Sequence, residues 1–214
     1  MELLKNITLI HGDCMDYMKT LPDKSFNLAV VDPPYGIGKN WTKDRNSKFY
    51  KHNSSYKNDC IPSRLYFDEL FRVSKNQIIW GANYFTNFLP ARSSWIVWDK
   101  KRDWKKQKNA EGELAWTSYN IPLRIAEYRW CGACTCEQRY GKHPHEKPVS
   151  LYKWILSEYA KKGDKILDTH LGGGSICIAA DSLGFEMTGI EIDEHYYNDT
   201  KRRVIDFQKQ TRLF

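Results

Sequence analysis

Lys165-Ile166-Leu167-Asp168-Thr169-His170-Leu171-Gly172-Gly173-Gly174-Ser175 runs from a short apolar stretch into a run of glycines. The first four residues read as a buried strand. Ile176 to Leu183 reads as a helix stopped at Gly184, and Glu186 to Ile190 as a second strand closed by Glu191. Strand, glycine loop, helix, strand and acidic residue make a βαβ unit, which implies a parallel sheet and an α/β fold. Glycines let the backbone approach a ligand closely and turn sharply into the helix. A carboxylate at the end of the second strand can accept hydrogen bonds from two ribose hydroxyls. The dinucleotide fingerprint G-x-G-x-x-G is only half met. Gly172 and Gly174 fit it, but Cys177 stands at the third position. No Gly-Lys-Ser/Thr follows, which disfavours a nucleoside-triphosphate loop. Alone, this segment suits any nucleoside cofactor.

A second stretch narrows the choice. The apolar run Leu28-Ala29-Val30-Val31 ends at Asp32-Pro33-Pro34-Tyr35. It reads as a core strand with a carboxylate, two prolines and a tyrosine at its carboxyl end, where open α/β sheets place ligand chemistry. The prolines remove two backbone donors and fix φ. Asp32 and the Pro33 carbonyl then offer two acceptors beside the flat face of Tyr35. That set suits a planar ring carrying an exocyclic amine. Asp-Pro-Pro is also ordinary turn chemistry, so the tetrapeptide gains meaning only with a cofactor site beside it.

The remaining elements follow in order. Ile7 to Ile10 is a short strand that ends at His11-Gly12-Asp13-Cys14, so Asp13 and Asp32 can reach one sheet edge. A helix is expected from Met15 to Leu21, and another with Pro62 in its first turn and Phe67, Leu70 and Phe71 on one face. Strands are expected at Gln77–Trp80, Ser94–Trp98, Glu113–Thr117 and Ile125–Trp130. Pro148 opens a helix with Tyr152, Ile155, Leu156 and Tyr159 on its buried face. A terminal helix runs from His195 to Gln210.

The chain has 214 residues, enough for one domain spanning 1–214, with a formal charge of +7. A basic balance favours polyanionic partners, nucleic acid foremost. Lysines and an arginine are interleaved with aromatics in the polar segment 36–59, a pattern suited to phosphate contact and base stacking, and 99–112 holds a second basic loop. Residues 131–144 are a third candidate for recognition. The N-terminus lacks a secretory pattern, and no run approaches a membrane span, so a cytoplasmic protein is expected. Cys131, Cys134 and Cys136 with His143 or His145 could supply zinc ligands. The thiols are crowded and a second Cys-x-x-Cys pair is missing, so no metal is expected.

Together the motifs resemble those of the amino-methylating DNA methyltransferases that use S-adenosylmethionine. Asp32 to Tyr35 resembles the family's catalytic motif. Asp168 to Ser175 resembles its cofactor loop, usually Asp-Pro-Phe-x-Gly-Ser-Gly-Thr. His143-Pro144-His145-Glu146-Lys147-Pro148 resembles the segment that commonly reads His-Pro-Thr-x-Lys-Pro. Catalytic motif first and glycine loop later is the permuted, β arrangement. The resemblance implies a Rossmann-like S-adenosylmethionine-dependent methyltransferase fold in permuted order, with inserted recognition loops. Thr169, His170 and Gly173 depart from the family pattern, and a packing or hydrogen-bonding role is expected for His170.

The resemblance also implies roles. Asp13, with Cys14, would meet the cofactor's adenine, and Glu191, with Ile192, its ribose. Leu171, Gly172, Gly174 and Ser175 would admit the methionine portion. Lys147 and Pro148 would shape that end, and Asp168 would orient the loop through backbone donors or meet the ammonium through water. Asp32, beside the transferred methyl, and Pro33 would accept the two N–H bonds of the target amine. Pro34 would hold the turn and Tyr35 would stack on a flipped base. Asp at the first motif position favours adenine N6 over cytosine N4, which the same donor pair also allows. Three further classes compete with a DNA methyltransferase: a non-catalytic module binding cofactor and nucleic acid, an RNA or protein methyltransferase, and a nicotinamide oxidoreductase. Expected partners are double-stranded DNA, a second copy of the chain, and a restriction endonuclease on a separate chain, in a bacterial or phage-encoded setting.

Overall fold

In a computed structural model, the described residues are 1–37, 59–101, 110–129 and 146–210. They form a nine-stranded sheet with helices on both faces. In chain order the elements are β1 (Glu2–Leu4), β2 (Ile7–His11), α1 (Cys14–Lys19), β3 (Phe26–Val31), α2 (Arg64–Val73) and β4 (Ser74–Trp80). Then come β5 (Trp95–Asp99), β6 (Gly112–Thr117), β7 (Arg124–Glu127), α3 (Val149–Tyr159), β8 (Lys165–Asp168), α4 (Ser175–Leu183), β9 (Glu186–Glu191) and α5 (Glu194–Gln210). The sheet order is β1-β2-β9-β8-β3-β4-β6-β5-β7. The expected α/β architecture is present.

Side-chain alternation along the central strands builds two cores. Leu28 and Val30 of β3, Ile78 and Trp80 of β4, and Ile166 of β8 pack on one face with α3 and α4. Ala29, Val31, Ile79 and Leu167 pack on the other with α2 and Met18 of α1. Strands buried on both faces read as continuous apolar runs, and β3 shows one. The chain winds away from β3 in one direction through α2 to β4, and from β8 in the other through α4 to β9. Their shared boundary is the topological switch point, where such sheets open a crevice at the carboxyl ends of the strands.

Several boundaries differ from expectation for local reasons. Asp13 caps α1 by accepting from the Met15 amide at 2.7 Å, so the helix starts at Cys14 and ends at Lys19. Ser63, rather than Pro62, is the residue before α2. β4 begins three residues before the expected Gln77 because its polar start is internally satisfied: the Ser74 hydroxyl donates to the Leu70 carbonyl at 2.5 Å, and Gln77 Nε2 donates to the Ser74 carbonyl at 2.9 Å. β7 is shorter than expected, and β1, a three-residue edge strand, had no legible signal. Most of the recognition segments at 36–59 and 99–112, the whole of 131–144, and the candidate zinc ligands lie outside the described residues. Among the described residues no group of three or more potential ligands gathers into a metal site, and no helix is long and apolar enough to cross a membrane.

Candidate active site

A cavity of about 530 Å³ opens at the switch point. It is bounded by the turns that follow β2, β3, β8 and β9. Of the residues singled out from sequence, Asp13, Cys14, Asp32, Pro33, Pro34, Tyr35, Lys147, Leu171, Gly172, Gly174, Ser175, Glu191 and Ile192 line it. Pro148 and Asp168 do not: Pro148 is the cap residue of α3, and Asp168 is buried beneath the loop. Thus the two motifs, far apart in sequence, share one wall of space.

The Asp32 side is a chain of alternating charge. The Tyr35 hydroxyl donates to Asp32 Oδ1. Lys147 Nζ donates to Asp32 Oδ2 at 2.5 Å and lies 3.2 Å from Glu113 Oε2. Lys100 Nζ meets Glu113 Oε1 at 2.5 Å. The Lys147 side chain is only 1% exposed, and its ammonium sits 4.9 Å from the centre of the Trp80 ring. Burial opposes its charge, but Asp32 and Glu113 outweigh that and hold its pKa above the usual lysine value. Burial likewise opposes ionisation of Glu113, yet Lys147 and then Lys100 pull its carboxyl down to about 2. Each oxygen of an ionised carboxylate has two lone-pair sites, so Asp32 can still accept hydrogen bonds from a ligand.

Tyr35 is held as tightly as its partner. Its ring stacks on Tyr84 with centroids 5.2 Å apart and meets Phe85 edge-on at 6.0 Å. Gly81 (φ +65°) makes room for it: a Cβ there would stand 2.0 Å from the ring. Burial, and then the Asp32 charge, push the Tyr35 hydroxyl well above its ordinary pKa, so it stays a donor.

The glycine-loop side is built from backbone. Glu191 Oε2 accepts the Gly172 amide at 2.8 Å and Oε1 accepts the Asp193 amide at 2.9 Å. Burial raises the Glu191 pKa. Asp168 Oδ1 accepts the His170 amide at 3.0 Å. Burial lifts its carboxyl to about 8. Glu146, which lines the cavity, and Arg203 bolt the loop. The Arg203 guanidinium donates to Glu146 Oε1 and to the Gly173 carbonyl, and the Ser175 hydroxyl donates to Glu146 at 2.7 Å. Gly174 (φ +69°) leads into α4, and a Cβ there would stand 2.4 Å from Thr200. Cys177, at the third fingerprint position, is fully buried inside α4. Burial lifts the Cys14 thiol to about 12, so it is no nucleophile.

The residues that replace the family's Pro-Phe are joined in a relay. The Tyr66 hydroxyl and Thr169 Oγ1 are 2.7 Å apart, and Thr169 Oγ1 and His170 Nδ1 are 2.9 Å apart. The His170 ring packs edge-on against Tyr66 at 5.3 Å. Burial holds its pKa down to about 4, so the imidazole is neutral near pH 7. Sequence reasoning missed Glu113, Tyr66 and Arg203, read Lys100 only as part of the basic recognition segment 99–112, and read Tyr152, another cavity residue, only as core. The one available signal was a glutamate placed on the core face of a strand, next to Ala115.

The N6/N4 methyltransferase family model, described as DNA methylase, matches residues 75–202. The chain belongs to this DNA methylase family. Among curated relatives, the type II methyltransferase M2.MboI of Moraxella bovis is 25% identical over 93% of this chain and 88% of its own. The DNA adenine methyltransferase YhdJ of Escherichia coli is 24% identical over 92% of this chain and 82% of its own. Among solved structures, the M1.HpyAVI–SAM complex superposes with a TM-score of 0.60 at 18% identity, covering 92% of this chain and 98% of that one. The PvuII DNA methyltransferase, described as cytosine-N4-specific, gives 0.58 at 12% identity, covering 96% and 94%. These structural likenesses confirm the Rossmann-like methyltransferase fold. The M1.HpyAVI structure is a complex with SAM, and the residues lining this cavity fit a group of that kind. The cavity is in the size range of ligand sites, with a buried acidic residue at one end and a glycine loop beside it.

Proposed function

We propose that this DNA methylase transfers a methyl group to the N6 amine of adenine in a specific duplex sequence, with the base turned out of the helix into the cavity. The observation that carries the reading is the convergence of Asp32–Tyr35 and the Gly172–Gly174 loop on one cavity. Bound S-adenosylmethionine supplies an electrophilic methyl, so the harder task is to ready the amine. Its lone pair is conjugated into the ring. Asp32 and the Pro33 carbonyl accept its two N–H groups and favour a pyramidal nitrogen, while Tyr35 and Lys147 fix the Asp32 carboxylate. Positioning and electrostatics carry the rate, and Asp32 need not act as a strong base before attack. Glu191 holds the ribose, Asp13 the adenine amine of the cofactor, and Gly172 and Gly174 flank the methionine portion.

Asp32 at the head of the motif favours adenine over cytosine N4. Relatives and neighbours carry both names, so the fold does not decide. Incubation with labelled cofactor and mixed-sequence duplex, followed by digestion to nucleosides, tests the reading. N6-methyl-2′-deoxyadenosine is expected. N4-methyl-2′-deoxycytidine would move the assignment to the other base, and the absence of both products would defeat it. Single-molecule sequencing of DNA from an expressing host gives the target sequence. The basic balance of the chain supports double-stranded DNA as substrate. A paired copy and a separate endonuclease belong to the same proposal, and the relationship to a type II methyltransferase supports the latter.

A further inference from the structure

Glu113 does not line the cavity, yet it is wired to its reactive edge. β6 runs antiparallel to β4 with Trp80 opposite Ala115, which carries Glu113 past the end of β4 to the carboxyl edge of the parallel strands. There its two oxygens face two cations, Lys100 at 2.5 Å and Lys147 at 3.2 Å. Lys147 in turn reaches Asp32 Oδ2 at 2.5 Å. An ammonium 1% exposed to solvent must find its counter-charge within the protein. With carboxylates on both sides it is shared. With Asp32 as its sole anion it would be drawn fully onto that carboxylate and take up lone pairs the target amine needs.

We propose that Glu113 is a positioning residue for methyl transfer: by sharing the Lys147 ammonium it holds that cation at one oxygen of Asp32 and leaves the carboxylate open to the acceptor amine. The inference rests on reading Asp32 as the amine's acceptor. It predicts an effect on turnover and not on binding, because Glu113 touches neither cavity nor loop. It also predicts that Glu113 acts only through Lys147.

The test is steady-state kinetics with S-adenosylmethionine and a duplex bearing the target sequence. In Glu113→Gln, kcat falls at least about tenfold while KM for cofactor and DNA stays within about threefold. Glu113→Asp recovers part of the loss. On a Lys147→Gln background, adding Glu113→Gln changes kcat by less than about threefold. A kcat for Glu113→Gln within threefold of wild type overturns the proposal, as does a parallel loss of cofactor binding. So does a further tenfold loss in the double variant. If Glu113→Gln alone does not fold, the comparison of the double variant with Lys147→Gln decides, since it removes the carboxylate's charge together with its partner's. Asp32→Ala separates this inference from the reading beneath it. Transfer that survives Asp32→Ala sinks that reading, whereas transfer abolished there but intact in Glu113→Gln sinks only the role of Glu113.

Discussion

The Asp32 side of the cavity, proposed to serve the acceptor, is held by side-chain charge, whereas the glycine-loop side, proposed to serve the cofactor, is held by backbone hydrogen bonds. On the first, Lys100, Glu113, Lys147 and Asp32 come from four separate places in the chain and meet in alternation. On the second, Asp168 and Glu191 grip amides of one continuous loop-and-helix unit. The difference suits their tasks. A cofactor common to many enzymes needs a cradle of fixed shape, which glycines and amides supply. An amine that must be turned into a nucleophile needs oriented charge in a dry place, which only paired ions supply without collapse of the carboxylate into its neighbours.

If that contrast is right, the largest effects come from breaking the ionic side. Lys147→Met leaves Asp32 and Glu113 facing each other without their shared cation. It is expected to cost about 3–5 kcal/mol of folding stability, read by urea unfolding. A loss under 1 kcal/mol would mean that the chain of charges is decorative. Next is Gly81→Ala, which puts a methyl group where the Tyr35 ring lies and forces a left-handed backbone on alanine. A stability loss of about 1–2 kcal/mol is expected from the backbone alone, with transfer falling further than cofactor affinity as Tyr35 is displaced from Asp32.

The cofactor side should respond more gently and in binding. Glu191→Gln removes an acceptor from the Gly172 amide and from the ribose it is proposed to hold, and is expected to weaken S-adenosylmethionine binding about tenfold by calorimetry, roughly 1.4 kcal/mol. Turnover at saturating cofactor should hardly change. Asp168 gives a pH test. Its folded carboxyl titrates at about 8, above the unfolded value near 4. The folded state therefore binds the extra proton between those limits, and the contribution is full below about pH 4 and lost as pH rises through 8. Relative to wild type, Asp168→Asn should lose less stability between pH 5 and pH 8, by at least about 1 kcal/mol. An identical pH slope in both would contradict the burial of that carboxylate.

The same contrast explains what the sequence revealed. The βαβ unit was legible because its logic is local: apolar run, glycines, helix and acidic residue stand in order, and Gly172, Gly174 and Glu191 meet where that order places them. Asp32 to Tyr35 was legible as a motif at a strand end. The links between Asp32 and its supports were not, because Lys147 and Glu113 approach it through tertiary pairing alone. Lys147 was read as part of the cofactor end, yet its ammonium pairs with Asp32. A glutamate on the core face of a half-apolar strand is a signal without an address until the antiparallel register of β6 carries it to the site edge. The β1 edge strand was illegible for a simpler reason. Three residues are too few to show alternation.

The central claim is that Asp32-Pro33-Pro34-Tyr35 serves the methyl acceptor and the glycine loop serves the donor. Parallel measurement of turnover and cofactor affinity in Asp32→Ala tests it most directly. Methyl transfer to duplex DNA should fall at least about 10²- to 10³-fold, while S-adenosylmethionine binding by calorimetry stays within about threefold of wild type. Loss of cofactor binding in step with turnover would contradict the account and assign the motif to the donor pocket instead.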